Sequence, residues 1–145
     1  MRSPSTSEFE TRRLTITGEA RRAIVAHMEQ VYPQEGCGFL FGHGGLGERF
    51  VPMANTAETP ETRYAIDPVQ QLDVFKAERE AGRELVAIVH SHTDVPARPS
   101  PADVAGASYP DTPYLIISVN RGRAVAGRAF VIRNGQFEEL RVVIV

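Results

Sequence analysis

Residues 85–103 read LVAIVHSHTDVPARPSPAD, and the fold turns on how they are read. The first five are apolar without a break and mostly β-branched. That is the pattern of a strand covered on both faces. The run becomes polar at His90. On a strand, side chains two apart share a side, so His90 and His92 project together while Ser91 faces the other way. Residues 93–99, with two prolines, form a loop. Ser100-Pro-Ala-Asp103 then starts a short helix, with a serine cap, proline first and an acid third. That helix runs to about Ser108.

Working outward, the upstream chain alternates strands and helices. Arg13–Ile16 is a short strand. Thr17 caps a helix from Gly18, with Ile24, Val25, Met28 and Val31 on one face and Pro33 as its stop. Gly38–Phe41 is a strand, residues 42–47 a glycine-rich turn, and residues 48–53 the returning strand. Residues 54–60 are loop, and Arg63–Ile66 reads as a further strand. Asp67, Pro68 and Gln70 open a helix that runs to about Ala81, with Val69, Leu72 and either Phe75 or the stem of Lys76 inward and Gly82 as its end. Downstream, Tyr114–Val119 is a buried strand. The segments 126–133 and 136–145 flank Asn134-Gly135, a strong hairpin signal. The expected fold class is α/β (α+β): a mixed, curved β-sheet packed with two main helices and a short helix after the histidine strand.

The 145 residues fit one domain, 1–145, with residues 1–8 as a loose polar tail. A formal charge of -2 gives no electrostatic reason to expect nucleic acid or an anionic membrane. No run approaches the roughly 20 apolar residues of a membrane span. Cys37 is the only cysteine, so neither an intramolecular disulfide nor an all-cysteine metal site can form. It reads as a small core residue in a reducing compartment, and the cytoplasm is the expected location.

Two neutral imidazoles on one face make the start of a zinc site. Asp103 is the obvious third ligand, provided that loop 93–99 turns the next helix back to the strand end. Two histidines and one carboxylate leave a fourth position open, as catalytic zinc sites do. Hydrolysis at such a site needs a general base. The best candidate is Glu35, at the mouth of the glycine-flanked strand, although spacing alone does not bring it there. His27 on its helix and His43 in its turn read as surface residues, and Asp94 and Arg98 as solvated loop charges.

The arrangement His-x-His, seven residues, Ser, two residues, Asp resembles the JAMM motif of the MPN+ metalloproteases (the Mov34/MPN/PAD-1 family). His90, His92, Ser100 and Asp103 match it position for position, and Glu35 matches the upstream glutamate. The order of elements from about Leu14 to Val119 is also similar. The Glu-x-Cys-Gly form and the compact length look most like the stand-alone prokaryotic members. The resemblance implies the MPN/JAB fold, which is cytidine-deaminase-like, and one Zn²⁺ per chain held by His90, His92 and Asp103. It implies Glu35 as the group that takes a proton from the attacking water and returns it to the departing amine. Ser100 would hydrogen-bond the oxyanion. The implied activity is hydrolysis of an amide or isopeptide bond, with a ubiquitin-like or sulfur-carrier protein as substrate partner. Two other readings stand beside it: a non-catalytic MPN scaffold, and a zinc amidohydrolase of a small molecule.

Overall fold

A computed structural model describes residues 12–145, so the tail expected at residues 1–8 lies outside the described residues. The elements run β1 (Arg13–Ile16), α1 (Gly18–Val31), β2 (Cys37–His43), β3 (Leu46–Met53), α2 (Pro68–Glu80), β4 (Glu84–Thr93), α3 (Pro101–Gly106), β5 (Tyr114–Asn120), β6 (Arg123–Arg133) and β7 (Gln136–Ile144). The mixed sheet and the three helices are those the sequence led one to expect. The strands, in the order β1-β3-β2-β4-β5-β6-β7, close into a barrel through parallel pairing of β7 with β1.

The histidine strand β4 lies between β2, antiparallel, and β5, parallel. Its alternation splits the interior in two. Ala87 and Val89 join α1 residues Ile24 and Met28, with Leu40, Leu115 and Val119, in one apolar cluster. Ile88 faces the opposite side with Phe39, Phe41, Ile116 and Phe130, against which Phe75 of α2 packs. His90 and His92 continue this second face past the strand's apolar part.

Three expectations need correction. Arg63–Ile66 is not a strand. Its backbone groups are taken instead by the Asn55 amide, which donates to Arg63 O at 2.9 Å and accepts from Ala65 N at 3.1 Å. On α2, Val69 and Leu72 are 66% and 70% exposed rather than inward. The helix turns Val74, Phe75 and Glu78 inward, because the buried Glu78 carboxylate is gripped by Arg49 of β3 and by Arg83. Finally, β6 begins at Arg123 rather than 126. A second tight turn precedes it, with Arg121 and Gly122 at φ 51° and 84°, the left-handed pair a two-residue hairpin needs.

Candidate metal centre

The site is assembled by β4 and the two segments beside it. Ser91, on the face away from the histidines, accepts from Gly36 N at 2.7 Å through its hydroxyl, and its own N–H donates to Gly36 O at 2.9 Å. Cys37 pairs in register with His90. These bonds bring Glu35 to the end of β4 from 55 residues upstream. Gly36 has no room for a side chain: a Cβ there would run into Met28 and Val31 of α1. Glu35 is also tied by backbone, its N–H to Pro60 O at 2.7 Å and its carbonyl to the Asn55 amide at 2.9 Å.

Asp103 arrives from the other side on α3. Ser100 and Asp103 form a reciprocal capping box: Asp103 N donates to Ser100 Oγ at 3.0 Å, and Ser100 N donates to Asp103 Oδ2 at 2.9 Å. The same carboxylate meets both imidazoles. His92 Nε2 lies 2.9 Å from Oδ2, and His90 Nε2 lies 3.2 Å from Oδ1. Capping and convergence therefore coexist, since a carboxylate has lone pairs for both. Burial opposes the Asp103 charge, but the two imidazoles and the Ser100 N–H outweigh it and hold the carboxyl below its usual range.

The two histidines differ. His92 Nδ1 is 2.8 Å from Pro96 O, which orients the ring with Nε2 toward Asp103. Burial disfavours the His92 cation, yet Asp103 and Pro96 O together raise its pKa. His90 is fully buried and stacked on Tyr64 at 4.5 Å, and burial lowers its pKa. Its contact with Asp103 is close but lacks hydrogen-bond alignment, so neither ring nitrogen has a hydrogen-bond partner among the described residues. A neutral, buried imidazole with an unused lone pair costs free energy unless something accepts that pair.

These observations fit a metal ion. One ligand-type atom from each of His90, His92 and Asp103 lies within 4.8 Å of the others. Two nitrogens and a carboxylate oxygen are a zinc-type donor set, and Pro96 O supplies the outer hydrogen bond that metal-ligating histidines usually make. Glu35 is only 7% exposed, and its carboxyl feels the charges of His92 and Asp103. Burial raises its carboxyl to about 7, with His92 lowering it and Asp103 raising it. Tyr64 and Pro96 carried no sequence signal for their parts here, since each acts through contacts made across loops.

The description "Prokaryotic homologs of the JAB domain" matches residues 17–133. The chain belongs to the prokaryotic JAB family. Among relatives, it is 37% identical over 134 residues to the "CysO-cysteine peptidase" of Mycobacterium tuberculosis, covering 91% of each chain. It is 31% identical over 138 residues to the "Desampylase" of Haloferax volcanii, covering 91% of this chain and 96% of that one. Among solved structures, a solution structure of a protein from Desulfitobacterium hafniense superposes with a TM-score of 0.79 at 32% identity, covering 90% and 92% of the two chains. Among the described residues no helix is long and apolar enough to cross a membrane.

Of the remaining candidates, Cys37, His43 and Arg98 lie as expected, whereas His27 and Asp94 do not. Cys37 is fully buried, and burial with the Glu35 charge pushes its thiol up to about 12, so it is a core residue. His27 is half-buried rather than fully on the surface: its Nε2 is buried with no hydrogen-bond partner among the described residues, and its ring packs on Phe50. His43 is exposed beside Glu48, as expected. Asp94 is no free loop charge either, because it accepts from Tyr32 OH at 2.6 Å and from Arg121 N at 2.9 Å. Arg98 is exposed, with its guanidinium over the Phe137 ring.

Proposed function

We propose that this JAB-family chain is a zinc-dependent peptidase that hydrolyses the amide or isopeptide bond at the C-terminus of a ubiquitin-like or sulfur-carrier protein. The observation that carries the reading is the convergence of His90, His92 and Asp103, two of which exert their charge on the buried carboxyl of Glu35. The names of the two relatives, a peptidase acting on a CysO-cysteine and a desampylase, support an enzyme and this class of substrate. A buried free thiol at Cys37 suits a reducing cytoplasm and belongs to the same proposal.

His90 Nε2, His92 Nε2 and Asp103 would hold the zinc. When bound, zinc supplies Lewis-acid polarisation of the scissile carbonyl and makes water a better nucleophile near neutral pH. Glu35 takes a proton from the attacking water on its carboxylate and delivers it to the leaving nitrogen. A proton affinity near neutrality is what both halves of that transfer need. Ser100 uses a lone pair of its hydroxyl to cap α3, which leaves the hydroxyl proton free to donate to the developing oxyanion.

Substrate access is consistent with a slender tail. A cleft of about 200 Å³ opens at Asp103, lined by Thr62, Arg63, Tyr64, Ala102 and Gly106. On the α3 side it offers only small residues besides Asp103, which lets the backbone of an extended Gly-Gly end approach the carboxylate closely.

The test is to incubate zinc-loaded protein with sulfur carriers bearing C-terminal extensions, and with a lysine-linked conjugate, and to read the product masses. Cleavage behind the tail is expected, with about one zinc per chain, and a Glu35→Gln variant should keep zinc and lose cleavage. A protein that takes up no zinc, or a Glu35→Gln variant that cuts as fast as the parent, overturns the reading.

A further inference from the structure

Ser118 interrupts an otherwise apolar stretch of β5 and is only 3% exposed. It is the register partner of His92 on the neighbouring strand, so it shares the face that carries the site. Among the described residues it makes no hydrogen bond to the ligand atoms. Its hydroxyl donates to Val95 O at 2.7 Å. The next carbonyl along, Pro96 O, is the one His92 Nδ1 meets at 2.8 Å. The turn between them is held from three further points: Asp94 N donates to Val119 O at 2.9 Å, and the Asp94 carboxylate takes Tyr32 OH and Arg121 N. Asp94 itself is at φ 59°, a conformation that a non-glycine residue keeps only when its surroundings enforce it.

We infer that Ser118 is a positioning residue for the metal centre: it fixes the 94–96 turn so that Pro96 O keeps the proton of His92 on Nδ1 and frees the Nε2 lone pair for the metal. The inference rests on reading His92 as a ligand. A hydroxyl that only satisfied a buried carbonyl would matter for stability and nothing else. A hydroxyl that sets the carbonyl behind a ligand also alters the metal site, because the hydrogen bond to the far ring nitrogen fixes tautomer and orientation. Losing such an outer partner typically weakens metal binding about 10–100-fold. Ser118 acts one link further out, so the lower end of that range applies.

The experiment uses Ser118→Ala, which removes one oxygen and leaves the strand intact. Zinc affinity is read by competition with a chromophoric chelator. The hold of Pro96 O on His92 Nδ1–H is read in the zinc-loaded protein from the exchange rate of that ring proton with solvent, followed by proton NMR. The expected result is roughly tenfold weaker zinc binding and faster exchange of the Nδ1 proton. Ser118→Thr, which keeps the hydroxyl, restores both. Val131→Ala, which lowers stability from β6 without touching the turn, leaves both as in the parent. A Ser118→Ala protein with parental zinc affinity and parental exchange of the Nδ1 proton overturns the inference. If the parent itself takes up no zinc, the ligand reading fails, and exchange of the same ring proton in the metal-free protein still decides whether Ser118 holds the ring.

Discussion

At Glu35, burial withholds water from a carboxylate. His92 partly compensates, Asp103 adds to the penalty, and the carboxyl rises from 4.5 to about 7. Between those values the folded chain holds a proton that the unfolded chain has released. Stability therefore falls as pH rises through this window and stays lowered above it. Glu35→Gln removes the titrating group. In denaturant titrations of metal-free protein, this variant is expected to exceed the parent in stability by about 2 kcal/mol at mildly alkaline pH and to match it near about pH 4. Equal stabilities at both ends would mean the carboxylate is better solvated than its burial indicates. Such a gain alongside lost cleavage is the trade a catalytic group makes. Ser100 separates differently, because cap and donor use different parts of one hydroxyl. Ser100→Ala is expected to lower melting stability by ~1 kcal/mol through the lost cap. Its kcat should fall about a hundredfold or more through the lost oxyanion donor. A kcat within about threefold of the parent would leave Ser100 as a helix cap and no more.

Among the elements, the β2–β3 hairpin carries the strictest local demand. Its ladder shifts register between Phe41 and Gly42, and a Cβ at Gly42 would collide with the Leu46 carbonyl oxygen. Backbone cannot yield as a side-chain tip can. Gly42→Ala is therefore expected to cost about 2 kcal/mol or more, seen as a lower denaturant midpoint with an unchanged slope. A cost below about 0.5 kcal/mol would show that the bulge relaxes freely. The legible elements are those whose signals are local. Asn134-Gly135, at φ 53° and 73°, announced its turn by residue type, and Asp67-Pro68 announced its helix. The α2 face was misread because Val69 and Leu72 have helical spacing, while the partner that decides its orientation is a charge. Glu78 gains two arginines from elsewhere in the chain, which no hydrophobic pattern encodes. The 63–66 segment looked like a strand for a similar reason. Its pairing is made with the Asn55 side chain and a single backbone bond from Thr56, where a neighbouring strand was expected.

For the whole molecule, barrel closure joins residues such as Arg13 with Arg141 and Ile16 with Ile144. Pairings that distant leave no trace in any sequence window, so the mixed sheet could be read from the sequence but its closure could not. The candidate site was more legible than the barrel, because His90, His92, Ser100 and Asp103 all lie on one strand, loop and helix turn. Only Glu35 had to be brought from afar, by Ser91 and Gly36. The same architecture predicts how the protein would respond to losing the proposed zinc. Two clusters of buried apolar residues form the interior apart from His90, His92 and Asp103. The metal would then be a ligand of a folded chain, unlike the small zinc domains that unfold without it. Binding at a thousandfold excess over Kd contributes about 4 kcal/mol. At roughly 2–4 °C per kcal/mol for a chain of this size, stripping zinc with a chelator is expected to lower Tm by about 10 °C. The far-UV circular dichroism at room temperature should not change, and cleavage should vanish and return when zinc is added back. Loss of the far-UV signal on chelation would instead make the metal a structural element and remove the ground for treating its open position as catalytic.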